Sequence, residues 1–333
     1  MTIRALLRRP GYAGAAILTL GLGIGATVAI FAVVAAVLLR PLPYPDADDL
    51  VTVMHHAPGL DLPDLESSDG TLRFYDREAD YLSAITGYRT TSMNLVGGPQ
   101  PDRISVVDAG PELFDILRVP PLLGRTFTEA DAAADAPAVV VLGHAFWTSR
   151  FGGDPTVVGR TVLLDGESTE IVGVMPRGFA FPDPETGAYT VRPVDPDPPF
   201  GAFGMRSLAR LAPGVTLEDA AARTVEIQPR LTEYFPEIAG GFMEQAGWSV
   251  SLRTLQEEMV GDVASTLWLV LGTVAFVLLI ACANVANLFL VRAESRQKEL
   301  AVRAAMGAGS GSLAWGFLSE ALVLAAAGGV LGL

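Results

Sequence analysis

The chain has 333 residues, half of them apolar and 18% charged, with a mean hydropathy of +0.39, a balance unusual for a soluble domain. A formal charge of −14 argues against nucleic acid as a partner, because phosphate binding needs a basic face. Cys282 is the single cysteine. It cannot make an internal disulfide, and its place in an apolar run reads as a small packing residue rather than a redox or metal centre.

Residues 1–10 carry Arg4, Arg8 and Arg9 and no acid. From Gly11 to Leu39 there are then 29 residues without a formal charge. A bilayer core takes about 20 apolar residues as a helix, so 11–39 is expected to be a first membrane span. A cleaved signal peptide competes, but signal cores usually run about 7–15 residues, and an uncleaved helix is favoured. "RPLPYPDADDL" follows, with prolines at 41, 43 and 45 that cannot continue the helix and suit a stiff exit.

Residues 40–265 hold 34 acids and 16 arginines, a net of −18. The pattern predicts mixed α and β. "RISVVD" reads as a strand and "AGPELFDIL" (109–117) as a short helix after it. "AVVVLG" (138–143) has the look of a buried strand. "RTVLLDGESTEIVGVMP" (160–176) places two β-rich runs around Asp165-Gly166, a hairpin signal. "MRSLARLAPGVTLEDAAARTVEIQPRLTEYF" reads as strand, turn and helix. Thr216 with Asp219 marks the helix start, and Leu217, Ala221, Ile227, Leu231 and Tyr234 form its buried stripe. A compact α+β domain of about 210 residues is expected, in one or two subdomains.

Catalytic and ligand motifs are sparse. "GGDPTVVGRT" (152–161) superficially matches a phosphate-binding loop, but its glycines are one residue too far apart and Arg160 stands where lysine is needed, so the glycines read as turn formers. His55 and His56 lie near Asp61, Asp64 and Glu66, yet neighbouring residues on a strand point opposite ways and no metal-ligand spacing appears; a solvated loop is the favoured reading. No GxSxG elbow occurs.

A second charge-free run spans Thr266–Val291 and a third Leu313–Leu333, apart from Glu320. The expected organisation is a cytoplasmic N-terminus (1–10), spans 11–39, 266–291 and 313–333, an extracytoplasmic domain with its connections (40–265) and a cytoplasmic segment (292–312). Arg292, Arg296, Lys298 and Arg303 outnumber Glu294 and Glu299 in that segment, and with the arginines of 1–10 they set the orientation by the positive-inside rule. The third run stops at the last residue without an anchoring charge, so the sequence is expected to be cut within that span. Gly21 and Gly25 give a small-xxx-small spacing that lets another helix approach. Asn284 and Asn287 share a helix face and should seek helix partners, whereas Glu320, costly in hydrocarbon, should face protein, water or the interface. On the cytoplasmic segment, Glu294–Lys298 and Glu299–Arg303 are acid-before-base pairs at i,i+4. Leu300, Ala301, Val302, Ala304, Ala305 and Met306 make a flat apolar side, and Gly307 ends the helix. Such a surface suits docking of another protein; a bare positive-inside loop is the plainer alternative.

"ESRQKELAVRAAMGA" (294–308) resembles the ExRxxEIxxRxAxGA signature of MacB/FtsX-type ABC transporter permeases, and "FLSEALVLAAAGGVLGL" (317–333) resembles the start of their third span. "RRPGYAGAAILTLGLGIGATVAIFAVVAAVLLRPLPYPDADDLV" (8–51) is similar to the opening of the long, duplicated members. "FWTSRFGGDPTVVGRTVLLDGESTEIVGVMPRGFAFP" (146–182) is similar to their MacB-like periplasmic core domain. One half of such a permease has four spans, and this chain stops in the third. The resemblance implies a non-enzymatic subunit of the bacterial inner membrane with no cofactor of its own, ATP being bound by a separate cytoplasmic ATPase. Glu294, Arg296, Lys298, Glu299, Arg303, Ala305 and Gly307 would couple that ATPase to motion of the external domain, with a second permease half or a second copy as partner. A membrane-anchored binding or sensing module without an ATPase is the competing function.

Overall fold

The computed structural model describes residues 10–96, 102–238, 241–295 and 310–332. The chain forms two compact units, a helical one from Met1–Arg40 and Val260–Leu333 and an α+β one from Pro41–Met259.

In the helical unit, the first helix runs Pro10–Val34 and continues as a π-helical turn over Ala35–Leu39. Arg40 then becomes extended (φ −78°, ψ 122°), because a residue followed by proline is driven out of the helical region. The second helix, Leu255–Ser295, has 41 residues, about 60 Å at 1.5 Å per residue. Apolar stretches of 27 residues (Ala13–Leu39) and 29 residues (Val263–Val291) in these helices are long enough to cross a bilayer. The third helix, Ser310–Gly332, carries a shorter apolar stretch, Leu318–Gly332.

The second helix therefore starts well before the apolar run at Thr266. Its start is a capping box: the Glu257 amide donates to Thr254 Oγ1 at 3.1 Å and the Thr254 amide to Glu257 Oε2 at 3.0 Å. Leu255, the first helical residue, is fully buried in the core of the α+β unit.

That unit is built on eleven strands among the described residues: β1 (Leu50–Ala57), β2 (Leu62–Leu65), β3 (Leu82–Val96), β4 (Asp102–Ala109), β5 (Leu123–Gly124), β6 (Val139–Leu142), β7 (Thr161–Leu164), β8 (Glu167–Val174), β9 (Thr186–Val191), β10 (Arg206–Leu211) and β11 (Ser249–Thr254). An open antiparallel part runs β11–β1–β10–β3. β3 is 15 residues long and serves two partners. Its first half pairs with β10, and from Tyr88 onward it pairs with β4. Beyond it the strands close on themselves in the order β3–β4–β9–β6–β8–β7 and back to β3 through Leu95↔Leu164 and Val96↔Leu163. Leu95, Val106, Val140, Leu142 and Ile171 form part of one core there, with Trp147 and Val157.

The open part is buried on both faces, as the alternation of its strands requires. Leu50 and Leu208 enter a core rich in rings, where Phe114 meets Tyr189 edge-on at 5.3 Å and Tyr88 meets Phe181 at 4.8 Å. Val51, Val53 and Ala209 enter a second core under the helices Asp69–Glu78 and Leu217–Ile227.

The expected α+β domain is present. β7 and β8 form the hairpin around Asp165 (φ 48°) and Gly166 (φ 88°), both left-handed as a two-residue I′ turn demands. Thr216 caps Leu217–Ile227 by accepting from the Asp219 amide at 3.2 Å. Pro229 breaks what was expected as one helix: a 3₁₀ turn, Gln228–Arg230, precedes a last turn, Leu231–Tyr234. Leu231 is buried, while Leu217, Ala221, Ile227 and Tyr234 are half-buried; Ala220 and Thr224 lie deepest on the helix.

The histidines depart from the solvated-loop expectation. Both lie on β1, and the alternation sends them opposite ways. His55 is fully buried, its Nε2 3.0 Å from the Tyr75 hydroxyl and its ring against Trp248 at 5.0 Å. His56, half-buried, reaches the Pro63 carbonyl at 2.6 Å and Ser251 Oγ at 2.8 Å. Among the described residues no group of three or more His, Cys, Asp or Glu side chains is placed to hold a metal. In 152–161, Gly152, Gly153 and Gly159 take positive φ around an Asp154–Arg160 ion pair, which is turn geometry. Cys282 is exposed on the second helix rather than packed in a core.

Candidate functional site

The predicted docking segment begins at the end of the second helix. Glu294 is exposed there. Arg296, Lys298, Glu299, Arg303, Ala305 and Gly307 lie outside the described residues.

Gly21 and Gly25 are brought against the third helix. A Cβ on Gly21 would sit 3.2 Å from the Gly328 carbonyl oxygen, and one on Gly25 would sit 2.8 Å from that of Gly332. The relation is reciprocal, since a Cβ on Gly332 would lie 2.5 Å from the Gly21 carbonyl oxygen. At Gly25 and Gly332 only hydrogen fits and at Gly21 a Cβ would be tight, so the two backbones approach closely, as at small-residue helix crossings. Gly23, two residues along and so on the other side of the helix, meets the second helix: its Cβ would lie 3.0 Å from Leu278 Cδ1 and 3.6 Å from Ala281 Cβ. Ala16, Leu20, Val285 and Leu324 fill the space between the helices. The alternating G-x-G-x-G of residues 21–25 was the available sign that both sides of this helix are contact faces.

The polar residues of the spans divide. Glu320 is buried within the helical unit. Asn284 and Asn287 are both exposed, so they are not brought to the contacts made by the neighbouring Val285. Ala281 and Val285 are the buried residues on this stretch of the helix.

In the α+β unit the segment entering the domain is held by one side chain that sequence reasoning missed. Arg210, on β10, is 2% exposed. Its Nε donates to the Ile116 carbonyl at 2.8 Å, Nη1 to that of Asp46 at 2.9 Å and Nη2 to that of Pro45 at 3.0 Å. Arg118 pairs with the Asp46 carboxylate, and the Tyr44 hydroxyl donates to the Ala180 carbonyl at 3.1 Å. Burial raises the Tyr44 phenol above its ordinary range, with Tyr88 adding to it, so it remains a neutral donor. The signal for Arg210 was a charged residue at a core-facing position of "RSLARL", two residues from Leu208. An arginine there is buried only if its donors are satisfied.

Entry and exit of this unit meet on adjacent strands. β11, which leads into the Thr254–Glu257 capping box, pairs with β1 from Val51↔Thr254 to His56↔Ser249. β1 pairs in turn with β10, which carries Arg210.

Comparison with known proteins places this arrangement. The MacB-like periplasmic core domain matches residues 13–227, and the FtsX-like permease C-terminal domain matches residues 271–333. A macrolide export ATP-binding/permease protein MacB of Marinobacter nauticus is 26% identical over 260 residues, covering 75% of this chain and 39% of that protein. A pyoverdine export ATP-binding/permease protein PvdT of Pseudomonas aeruginosa is 26% identical over 223 residues, covering 66% of this chain and 32% of that protein. The chain thus spans about a third to two fifths of these curated relatives. A solved domain of a permease protein from Porphyromonas gingivalis aligns with a TM-score of 0.46 at 19% identity, over 63% of this chain and 92% of that one. With one family model matching well over half of its length and a second matching residues 271–333, the chain belongs to the MacB-like periplasmic core domain family and is a MacB/FtsX-type permease.

Proposed function

We propose that the chain is the transmembrane permease subunit of an ABC transporter of the bacterial inner membrane, serving export or another envelope process. Its N-terminus and segment 292–312 lie in the cytoplasm, and the α+β unit lies outside. The observation that carries this reading is the succession, in one chain, of a periplasmic core at 13–227 and an FtsX-like permease region at 271–333, with apolar helices at Ala13–Leu39 and Val263–Val291. The matched relatives are ATP-binding/permease proteins; here ATP would be bound by a separate cytoplasmic ATPase.

In this reading the ATPase pushes on 292–312, and the motion passes along the spans to the external domain rather than opening a route through the helices. Two features of the α+β unit support mechanical transmission. Arg210 ties the entering chain at Pro45 and Asp46 to the sheet. The exit is a helix whose first residue is buried in the domain core. A displacement at either connection therefore acts on the joined strands β10, β1 and β11, since packed cores move as rigid bodies rather than deform. A second permease half or a second copy completes the assembly.

A photo-crosslinking residue at Ala305 of the native protein tests this directly. An ATPase in the adduct supports it; lipid and self-adducts alone, under conditions where a known permease captures its ATPase, favour an anchored binding module. Arg303→Glu is expected to abolish activity with membrane insertion intact, and unchanged activity would remove 292–312 from the coupling role.

A further inference from the structure

The α+β unit contains a cavity of about 90 Å³ between the helix Asp69–Glu78, the centre of β3 and the turn after β4. One water needs about 10–15 Å³ of such space, so the cavity admits a small head group with a short chain. One wall is apolar, formed by Leu72, Ile85 and Met205. Against it lies Glu112, half-buried, whose Oε2 accepts from the Thr86 hydroxyl at 3.1 Å. Among the described residues no basic side chain forms an ion pair with Glu112. The arginines lining the cavity pair with other lining groups, Arg73 with Asp76 at 3.1 Å and Arg192 with Asp69 at 2.7 Å, and Arg192 Nη1 also lies against Met205 Sδ.

Two glycines let the lining side chains pack against the backbone. A Cβ on Gly110 would lie 2.2 Å from Thr86 Oγ1 and 2.8 Å from Glu112 Oε2, and one on Gly87 would lie 2.4 Å from Leu72 Cδ1. Burial raises the Glu112 carboxyl above its ordinary range, with the Thr86 hydrogen bond pulling the other way. A carboxylate desolvated without a counter-charge is a cost that a cationic ligand removes. Leu72, Ile85 and Met205 supply no ligands, and among the described residues no three His, Cys, Asp or Glu side chains are placed together to hold a metal ion, which takes several oxygen ligands.

We propose that this cavity binds a compact organic cation, an alkylammonium or guanidinium head whose charge pairs with Glu112 and whose carbon chain lies against Leu72, Ile85 and Met205. The head group belongs either to a free small molecule or to a lysine or arginine side chain of a partner protein. The site goes beyond the permease reading and does not depend on an ATPase.

Calorimetric titration of the full chain in nanodiscs, at fixed ionic strength, tests it with butylammonium, butylguanidinium and uncharged 1-butanol. The cations are expected to bind saturably and 1-butanol not at all. Glu112→Gln, which keeps a group able to bond Thr86, is expected to weaken the cations by about tenfold or more at an unchanged melting temperature. Gly110→Ala, in a variant that still melts cooperatively, is expected to do the same by displacing Thr86 and the Glu112 carboxylate. A tighter isotherm for Nα-acetyl-lysine methylamide than for butylammonium identifies a partner side chain as the source, and the reverse order identifies a free amine. No saturable heat at millimolar cation, equal binding of 1-butanol, or unchanged affinity in Glu112→Gln would overturn the proposal.

Discussion

Arg210 donates from Nη1 to the carbonyl oxygen of Asp46 at 2.9 Å, joining residues 164 apart in sequence. Together with its bonds to Pro45 and Ile116, this one guanidinium satisfies backbone acceptors from the stem of the domain and from the helix Leu113–Leu117. A planar fork can do this; an ammonium cannot span all three.

Arg210→Met is therefore expected to destabilise the α+β unit by about 1–3 kcal/mol, since it strands the buried Ile116 carbonyl and removes the ties to Pro45 and Asp46. Arg210→Lys should recover part of that loss. Urea unfolding of the 41–259 fragment measures both, and a loss below about 0.5 kcal/mol, the ordinary range of surface substitutions, would remove Arg210 from its anchoring role.

His55 makes the same unit acid-sensitive. Burial, aided by the adjacent His56, pushes its pKa down to about 3, from about 6.5 in the unfolded chain. Between these values the unfolded state holds a proton that the folded state does not, so stability falls as pH drops below the unfolded value. From pH 7 to pH 5 the loss from this group is about 2 kcal/mol. His55→Phe should flatten the decline by that amount, whatever it does to stability at pH 7. Equal slopes for the two proteins would show that His55 is not buried neutral.

The glycine crossing predicts a contrast within the helical unit. Gly25→Leu would drive a side chain into the Gly332 backbone, whereas Gly272, on the second helix, has open space around its Cβ position. Gly25→Leu is expected to lower the thermal stability of the detergent-purified protein, and Gly272→Leu to leave it unchanged or slightly raised. Similar melting for the two variants would argue against close approach of the first and third helices.

At the β7–β8 hairpin, Gly166 has φ 88°, and a Cβ added to it would meet no atom within 4 Å. Gly166→Val should thus cost about 1–2 kcal/mol through backbone strain alone. Gly166→Asn, which tolerates the left-handed region, should cost less. Thermal melts of the two variants would separate conformation from packing, because the Cβ position itself meets no neighbour.

Local features of this protein were legible because neighbouring residues create them. The Asp165-Gly166 turn, the Thr216 cap and the apolar runs all express short-range rules of conformation and hydrophobic length. The long helix start was legible too, in Thr254 and Glu257, but the apolar run beginning at Thr266 is the louder signal and hides a polar helical stretch before it. His55 failed as a sequence reading because one acidic neighbourhood surrounds a strand whose alternate residues go to opposite environments.

The order of residues is enough to mark apolar helices flanking an acidic α+β domain, glycines at 21 and 25 that can admit a close neighbour, and the family of the chain. Packing of whole elements settles which helix those glycines meet, the closure of six strands into a ring through Leu95↔Leu164, and the reach of Arg210 back to Asp46. Packing likewise sets Glu112 in a cavity where, among the described residues, no arginine pairs with it. These relations join positions tens to hundreds of residues apart. Which partner a buried polar group finds depends on how whole elements pack, and no window of neighbouring residues carries that information.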